Sequence, residues 1–208
     1  MANLFWIVVQ FLVVLFAISV HESAHAWTAD RMGDPTARLQ GRVTLNPLAH
    51  IDLLGTIIFP LLLAWMGAPV FGWAKPVMVN PYNFRDRRRG GILVAAAGPL
   101  ANIAVAAVTI LIFLPLKSTM LVSRLPILFT VFIYLIIINL YLAVFNLIPI
   151  PPLDGSGVLE GVLRGSALDM YQKIKPYGFL ILLLIIYTRA LNFIAAPIEL
   201  LVRALLGL

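Results

Sequence analysis

Residues Phe16–Arg31 read FAISVHESAHAWTADR, and no charged side chain occurs in the twenty residues before His21. An apolar run of about 20 residues is what a helix needs to cross the hydrocarbon core of a bilayer. Ionisable groups are costly there, about 2.5–3.5 kcal/mol each at a helix centre and less towards the interface, and they mark function. His21 and His25 are four residues apart, so a helix places them on one face, a turn from each other. Two imidazoles so spaced can reach one zinc ion at about 2.0–2.1 Å. Glu22 stands beside the first, where a carboxylate approaches a metal's open position without ligating it. H-E-x-x-H is the pattern of a two-histidine zinc site with a glutamate general base.

The rest of the chain agrees with a membrane setting. Of 208 residues, 62% are hydrophobic and 12% charged, and the mean hydropathy is +1.00, far from the charge content of a soluble domain's surface. The opening run lacks a basic start and a small-residue cleavage site, so it reads as a retained helix and not as a signal peptide. The net charge of +6 comes mostly from short arginine-bearing loops. It follows the positive-inside bias, with no aromatic-interleaved patch to suggest nucleic acid. Cysteine is absent, which excludes disulfides and thiolate metal ligands.

The expected fold is an all-α polytopic membrane protein of five to six hydrophobic segments, a single domain over 1–208 with its core at 3–155 and C-terminal helices at 156–208. The first helix runs from about Asn3 to Ala29, and Arg31, Arg38 and Arg42 after it set its end on the cytoplasmic side. Arg38–Leu45 alternates polar and apolar residues and predicts a short strand. Lys75–Pro81 is a second extended candidate. Between them, residues 51–74 are apolar but broken by Gly55, Pro60, Gly67 and Pro69, as in a re-entrant segment. Arg85–Arg89 is a topology anchor. Further runs cover Ile92–Leu116, where small residues allow close helix packing, then Leu125–Leu147 and Tyr177–Tyr187, before an amphipathic tail. Trp6, Trp27, Trp65 and Trp73 fit interfacial anchoring.

A catalytic zinc site takes three protein ligands and keeps one open position. Apart from Glu22 the chain's glutamates are Glu160, distant in sequence, and Glu199, in the tail. His50, Asp30, Asp34, Asp52 and Asp154 remain. Asp154 is favoured because it follows an apolar span through PIPPLDG, where prolines stop the helix and Gly155 frees the turn. Topology favours it too. If 51–74 returns to the side it left, Asp154 emerges on the cytoplasmic side with His21 and His25; if it crosses, Asp154 faces the other leaflet. His50 reads as a structural or capping residue.

Three motifs in this order, HESAH (21–25), GPLAN (98–102) and NLIPIPPLDG (146–155), resemble those of the site-2 protease family of intramembrane zinc metalloproteases. The resemblance implies His21, His25 and Asp154 as ligands of one zinc ion per chain and Glu22 as the catalytic base. It implies Asn102 and Asn146 as contacts to substrate backbone or to developing charge. Ser156 stands where the family often has a second glycine, with Gly157 close behind. No stretch is long enough for a PDZ or nucleotide-binding regulatory domain, so the chain resembles a minimal member. The implied partners are the bilayer and transmembrane protein substrates. The implied location is the cell membrane, with the active site towards the cytoplasm. A candidate edge at Arg38–Leu45 or Val77–Asn80 would pair with an unwound substrate. Two other classes compete: a zinc transporter, which would need several intramembrane acidic or histidine pairs along a path, and a catalytically silent metal-binding protein, against which the intact Glu22 argues.

Overall fold

The long apolar runs fold as helices because a bilayer offers their backbone no other hydrogen-bond partner. In the computed structural model, which describes residues 4–66, 72–117, 125–188 and 192–207, α1 is Leu4–Met32. A four-residue α2 is Thr36–Leu39 and α3 is Phe59–Trp65. α4 is Arg87–Leu116, begun by Asp86, whose side chain accepts the N–H groups of Arg88 and Arg89 at 3.0 Å each. α5 is Pro126–Asn146, with proline in its first turn, where no N–H is needed. Shorter helices follow: α6 (Asp154–Val162), α7 (Gly165–Ile174), α8 (Gly178–Tyr187) and α9 (Asn192–Leu206).

Among the described residues α1, α4 and α5 are long and apolar enough to cross a membrane. Their large apolar side chains point outwards: Leu12 and Leu100 are 57% exposed and Leu111 70%. The inner faces instead carry Ala17, Gly98, Ala106 and Ala143, all buried. Small residues inside and large ones outside is the packing expected where lipid is the solvent, since apolar burial there gains nothing over lipid contact. α4 lies among α1, α5 and α6, and α9 packs on α5. Phe113 of α4, Ile136 of α5 and Val202 of α9 form the main apolar cluster, to which Phe129 and Phe132 add rings centred 5.7 Å from Phe113.

Two sets of hydrogen bonds gather the polar ends. The Arg85 N–H donates to Met32 O at 3.1 Å, and the Arg88 guanidinium donates to Gly161 O and, at 2.7 Å, to Val162 O. The C-terminal end of α1, the N-terminal end of α4 and helix α6 therefore meet, and α1 and α4 run antiparallel.

The expected strands do not form: the described residues contain none. At Arg38–Leu45 the alternation yields to local turn chemistry. The Asp34 carboxylate accepts the Thr36 N–H at 3.2 Å, starting α2, and Gly41 at φ +70° turns the chain so that Arg42 N–H donates to Ala37 O at 2.9 Å. Residues 72–80 adopt no regular secondary structure, and N–H groups along them go to loops and side chains. Trp73 donates to Gly55 O (3.1 Å), Lys75 to His50 O (2.9 Å) and Asn80 to Asp34 Oδ2 (2.6 Å). This strap lies across the polar end of α1. The interrupted segment contributes a π-helical turn, Leu53–Ile58, and then α3. Gly67 and Pro69, expected to break it, lie outside the described residues, as do Asn3 and Arg124. The ten residues of α8 are too few to span a bilayer alone.

Candidate metal centre

Three side chains converge between α1, α4 and the start of α6. His21 and His25 are buried on α1, 7% and 8% exposed. The Asp154 carboxylate arrives from the first residue of α6 after the chain turns through Leu147–Leu153, with Leu153 N–H on Ile150 O at 2.9 Å. Gly155 permits that return, since a Cβ there would lie 2.6 Å from Ile148 O and closer still to Leu147 O. His21 Nε2 is 3.0 Å and His25 Nε2 3.3 Å from Asp154 Oδ2, and the two imidazole nitrogens are 3.1 Å apart. Among the described residues this is the group of metal-binding side chains so assembled.

The far sides of both rings decide what these atoms can do. His25 Nδ1 is 2.6 Å from Val94 O. A carbonyl only accepts, so Nδ1 carries the proton and Nε2 keeps its lone pair. His21 Nδ1 likewise donates to Asn102 Oδ1 at 2.6 Å. Asp154 Oδ2 is buried and accepts no hydrogen bond. Three lone pairs thus face one point with no proton between them, an arrangement that a cation satisfies. Bonds of about 2.0–2.1 Å to tetrahedral zinc imply ligand atoms about 3.3–3.4 Å apart, close to the observed 3.0–3.3 Å. The residues fit zinc in number, type and spacing. Gly98 gives them room: a Cβ on it would lie 2.6 Å from His21 Nε2 and nearer still to His25 Nε2.

Glu22, next to His21 in the chain, is half-buried. Its Oε2 accepts the Val77 N–H of the strap at 3.2 Å. The other candidates are engaged elsewhere. Asp30 pairs with Arg38 (2.8 Å), Asp52 accepts Gly55 N–H (2.7 Å) and Glu160 pairs with Lys175 (2.7 Å). His50 donates Nε2–H to Thr44 O at 2.8 Å and ends a 3-10 turn at Pro47–Ala49. Asn102, expected to meet substrate, is instead 0% exposed and committed to His21, Ala17 and Asn139. Asn146 is half-buried, with Nδ2 on Leu142 O at 3.0 Å. Asn139 lies outside all three motifs, and its one signal in the sequence is an amide inside an apolar span, itself a mark of function.

Residues 121–187 match the family model for peptidase family M50. Relatives carrying the name "Putative zinc metalloprotease" include YwhC of Bacillus subtilis, 35% identical over 88% of this chain and 82% of that protein. They also include Rip2 of Mycolicibacterium smegmatis and of Mycobacterium tuberculosis strain H37Rv, each 31% identical over 86% of this chain and 66% of the relative. No solved structure matches the chain significantly. The chain belongs to peptidase family M50, the site-2 protease family. Membership in this family of zinc metalloproteases, together with three apolar helices, supports a metalloprotease role and identifies a membrane protein.

Proposed function

We propose that this protein is an intramembrane zinc endopeptidase that hydrolyses peptide bonds within or near transmembrane segments of other proteins. The observation that carries the reading is the meeting of three proton-free ligand atoms, His21 Nε2, His25 Nε2 and Asp154 Oδ2, between apolar helices and beside Glu22. One zinc ion held there would supply Lewis acidity and a water of lowered pKa. Glu22 accepts the proton of the attacking water and returns it to the leaving amine. The Val77 N–H bond on Oε2 fixes the carboxylate for both transfers. The N–H to Val94 O and the N–H to Asn102 hold the two imidazoles with Nε2 inwards.

A transmembrane helix hides its carbonyls in its own hydrogen bonds, so it must unwind before attack. The strap at 72–80, which pairs with no strand among the described residues, is the surface against which an unwound stretch would lie, and Asn146 would meet it from the end of α5. Residues 51–74 are read as re-entrant, supported by the Arg85–Met32 bond that joins the two sides of the excursion. Arg31, Arg38, Arg42, Lys75 and Arg85–Arg89 all belong to the site's end, which favours the cytoplasmic side of the cell membrane. Residues 1–208 are read as one domain, with its core at 3–155. The test is metal analysis of purified protein with cleavage of a transmembrane substrate by wild type and Glu22→Gln. Zinc in both, with cleavage only by wild type, is expected; equal cleavage would remove Glu22 from the mechanism.

A further inference from the structure

The metal-facing lone pair of His21 depends on a buried chain of amides that reaches beyond the ligands. We propose that Asn139 of α5 is a positioning residue that fixes which nitrogen of His21 carries the proton. Two backbone carbonyls, which can only accept, set the direction of the chain. Leu135 O takes the Asn139 Nδ2–H at 2.8 Å, which turns Asn139 Oδ1 towards α4. Ala17 O takes one N–H of Asn102 at 3.1 Å, and Asn139 Oδ1 takes the other at 2.7 Å. With both its N–H groups committed, Asn102 has only Oδ1 left for His21 Nδ1, 2.6 Å away. An oxygen cannot donate, so His21 holds its proton on Nδ1 and offers Nε2 to the metal.

Reversing the Asn102 amide would set its oxygen against Ala17 O and Asn139 Oδ1, and its NH2 against His21 Nδ1. That would force the proton to Nε2 and close the ligand. Asn139 Oδ1 adds a second repulsive contact to that of Ala17 O and so raises the cost of the reversal. Both asparagines are 0% exposed, so water has no access to replace a lost bond, and each broken link leaves a buried polar atom unsatisfied. The chain joins three membrane-crossing helices, α1, α4 and α5, at the ligand. The inference rests on the proposed zinc site but not on peptide hydrolysis.

The test compares Asn139→Leu and Asn139→Asp in the full-length protein, by chelator competition for zinc. Leucine keeps the branched heavy-atom skeleton and removes both polar atoms, and zinc affinity is expected to fall about tenfold, the low end for partners behind a ligand. A buried aspartic acid stays protonated. It donates to Leu135 O and accepts from Asn102, so most of the affinity is expected to return. Wild-type affinity in Asn139→Leu, or Asn139→Asp as weak as Asn139→Leu, would overturn the proposal. Should the leucine variant not fold, the 15N-histidine spectrum of zinc-loaded wild type decides. His21 ligated through Nε2 with its proton on Nδ1 is expected, and ligation through Nδ1 would overturn the proposal. A chain that binds zinc in this way yet cleaves nothing would defeat the protease reading and leave this one standing.

Discussion

Asp34 and Asp154 are two carboxylates at the same end of the helix bundle, and their surroundings are opposite. Asp34 is 0% exposed and surrounded by donors: the Thr36 N–H and hydroxyl, the Asn83 amide at 2.8 Å and the Asn80 N–H at 2.6 Å. Burial pushes its carboxyl up, but the bonds from Thr36, Asn80 and Asn83 outweigh that and hold it below the ordinary carboxylate value. Asp154 Oδ2 is buried too, and its near neighbours are lone pairs. The difference separates architecture from chemistry. A carboxylate whose donors all come from its own chain ties loops together, here α2, the strap and the turn at Asn83. One left facing other acceptors is made for a cation.

The contrast is broken most severely at the metal end. Asp154→Asn replaces a lone pair with an amide and should lower zinc affinity by more than the about 100-fold that bounds changes behind a ligand; the melting temperature of the metal-free protein should hardly move. The reverse pattern is expected of Asp34→Ala. Unfolding should become easier by about 2 kcal/mol, as buried N–H groups lose a charged acceptor, and zinc content should match that of wild type. Acid sharpens the same distinction. Because the folded Asp34 carboxyl lies below its unfolded value, its stabilisation is complete above about pH 4 and drains away as pH falls through the lower folded value. Unfolding curves of Asp34→Asn should therefore be flatter with pH than wild type below pH 4. Zinc, which competes with protons for the imidazoles, should leave before that loss begins. The smallest effect is expected between the two regions, at the strap. Val77→Pro removes the N–H that Glu22 accepts and should slow turnover about tenfold, a part of what a general base contributes, without loss of bound zinc.

The parts of the site that could be read in advance are those with a local signature. His21, Glu22 and His25 follow from helical spacing in an apolar run, and Asp154 from the prolines and Gly155 that end one. The long helices followed from length and hydropathy alone. What escaped was fixed by contacts between distant residues. Arg38–Leu45 has a strand's alternation, yet Asp34 and Gly41 bend it into a turn. Val77 meets Glu22 across 55 positions, and nothing within the sequence 75–81 indicates that its partners are side chains instead of a neighbouring strand. Asn102 sits in a motif that suggested substrate contact, whereas its amide serves His21, because the helix face it occupies is turned inwards. Asn139 was visible as a polar residue in an apolar span; its direction depends on Leu135 O and on the facing amide.

Gly98 carries a practical consequence. The hollow in which the two imidazoles meet the carboxylate exists because one methyl group is missing from α4. Restoring that single carbon by Gly98→Ala would leave motif, charge and helix length intact while crowding the imidazoles out of register. A chain so altered is expected to insert and fold like wild type yet retain little zinc on purification, which would make it a matched blank for separating what the ion does from what the helices do.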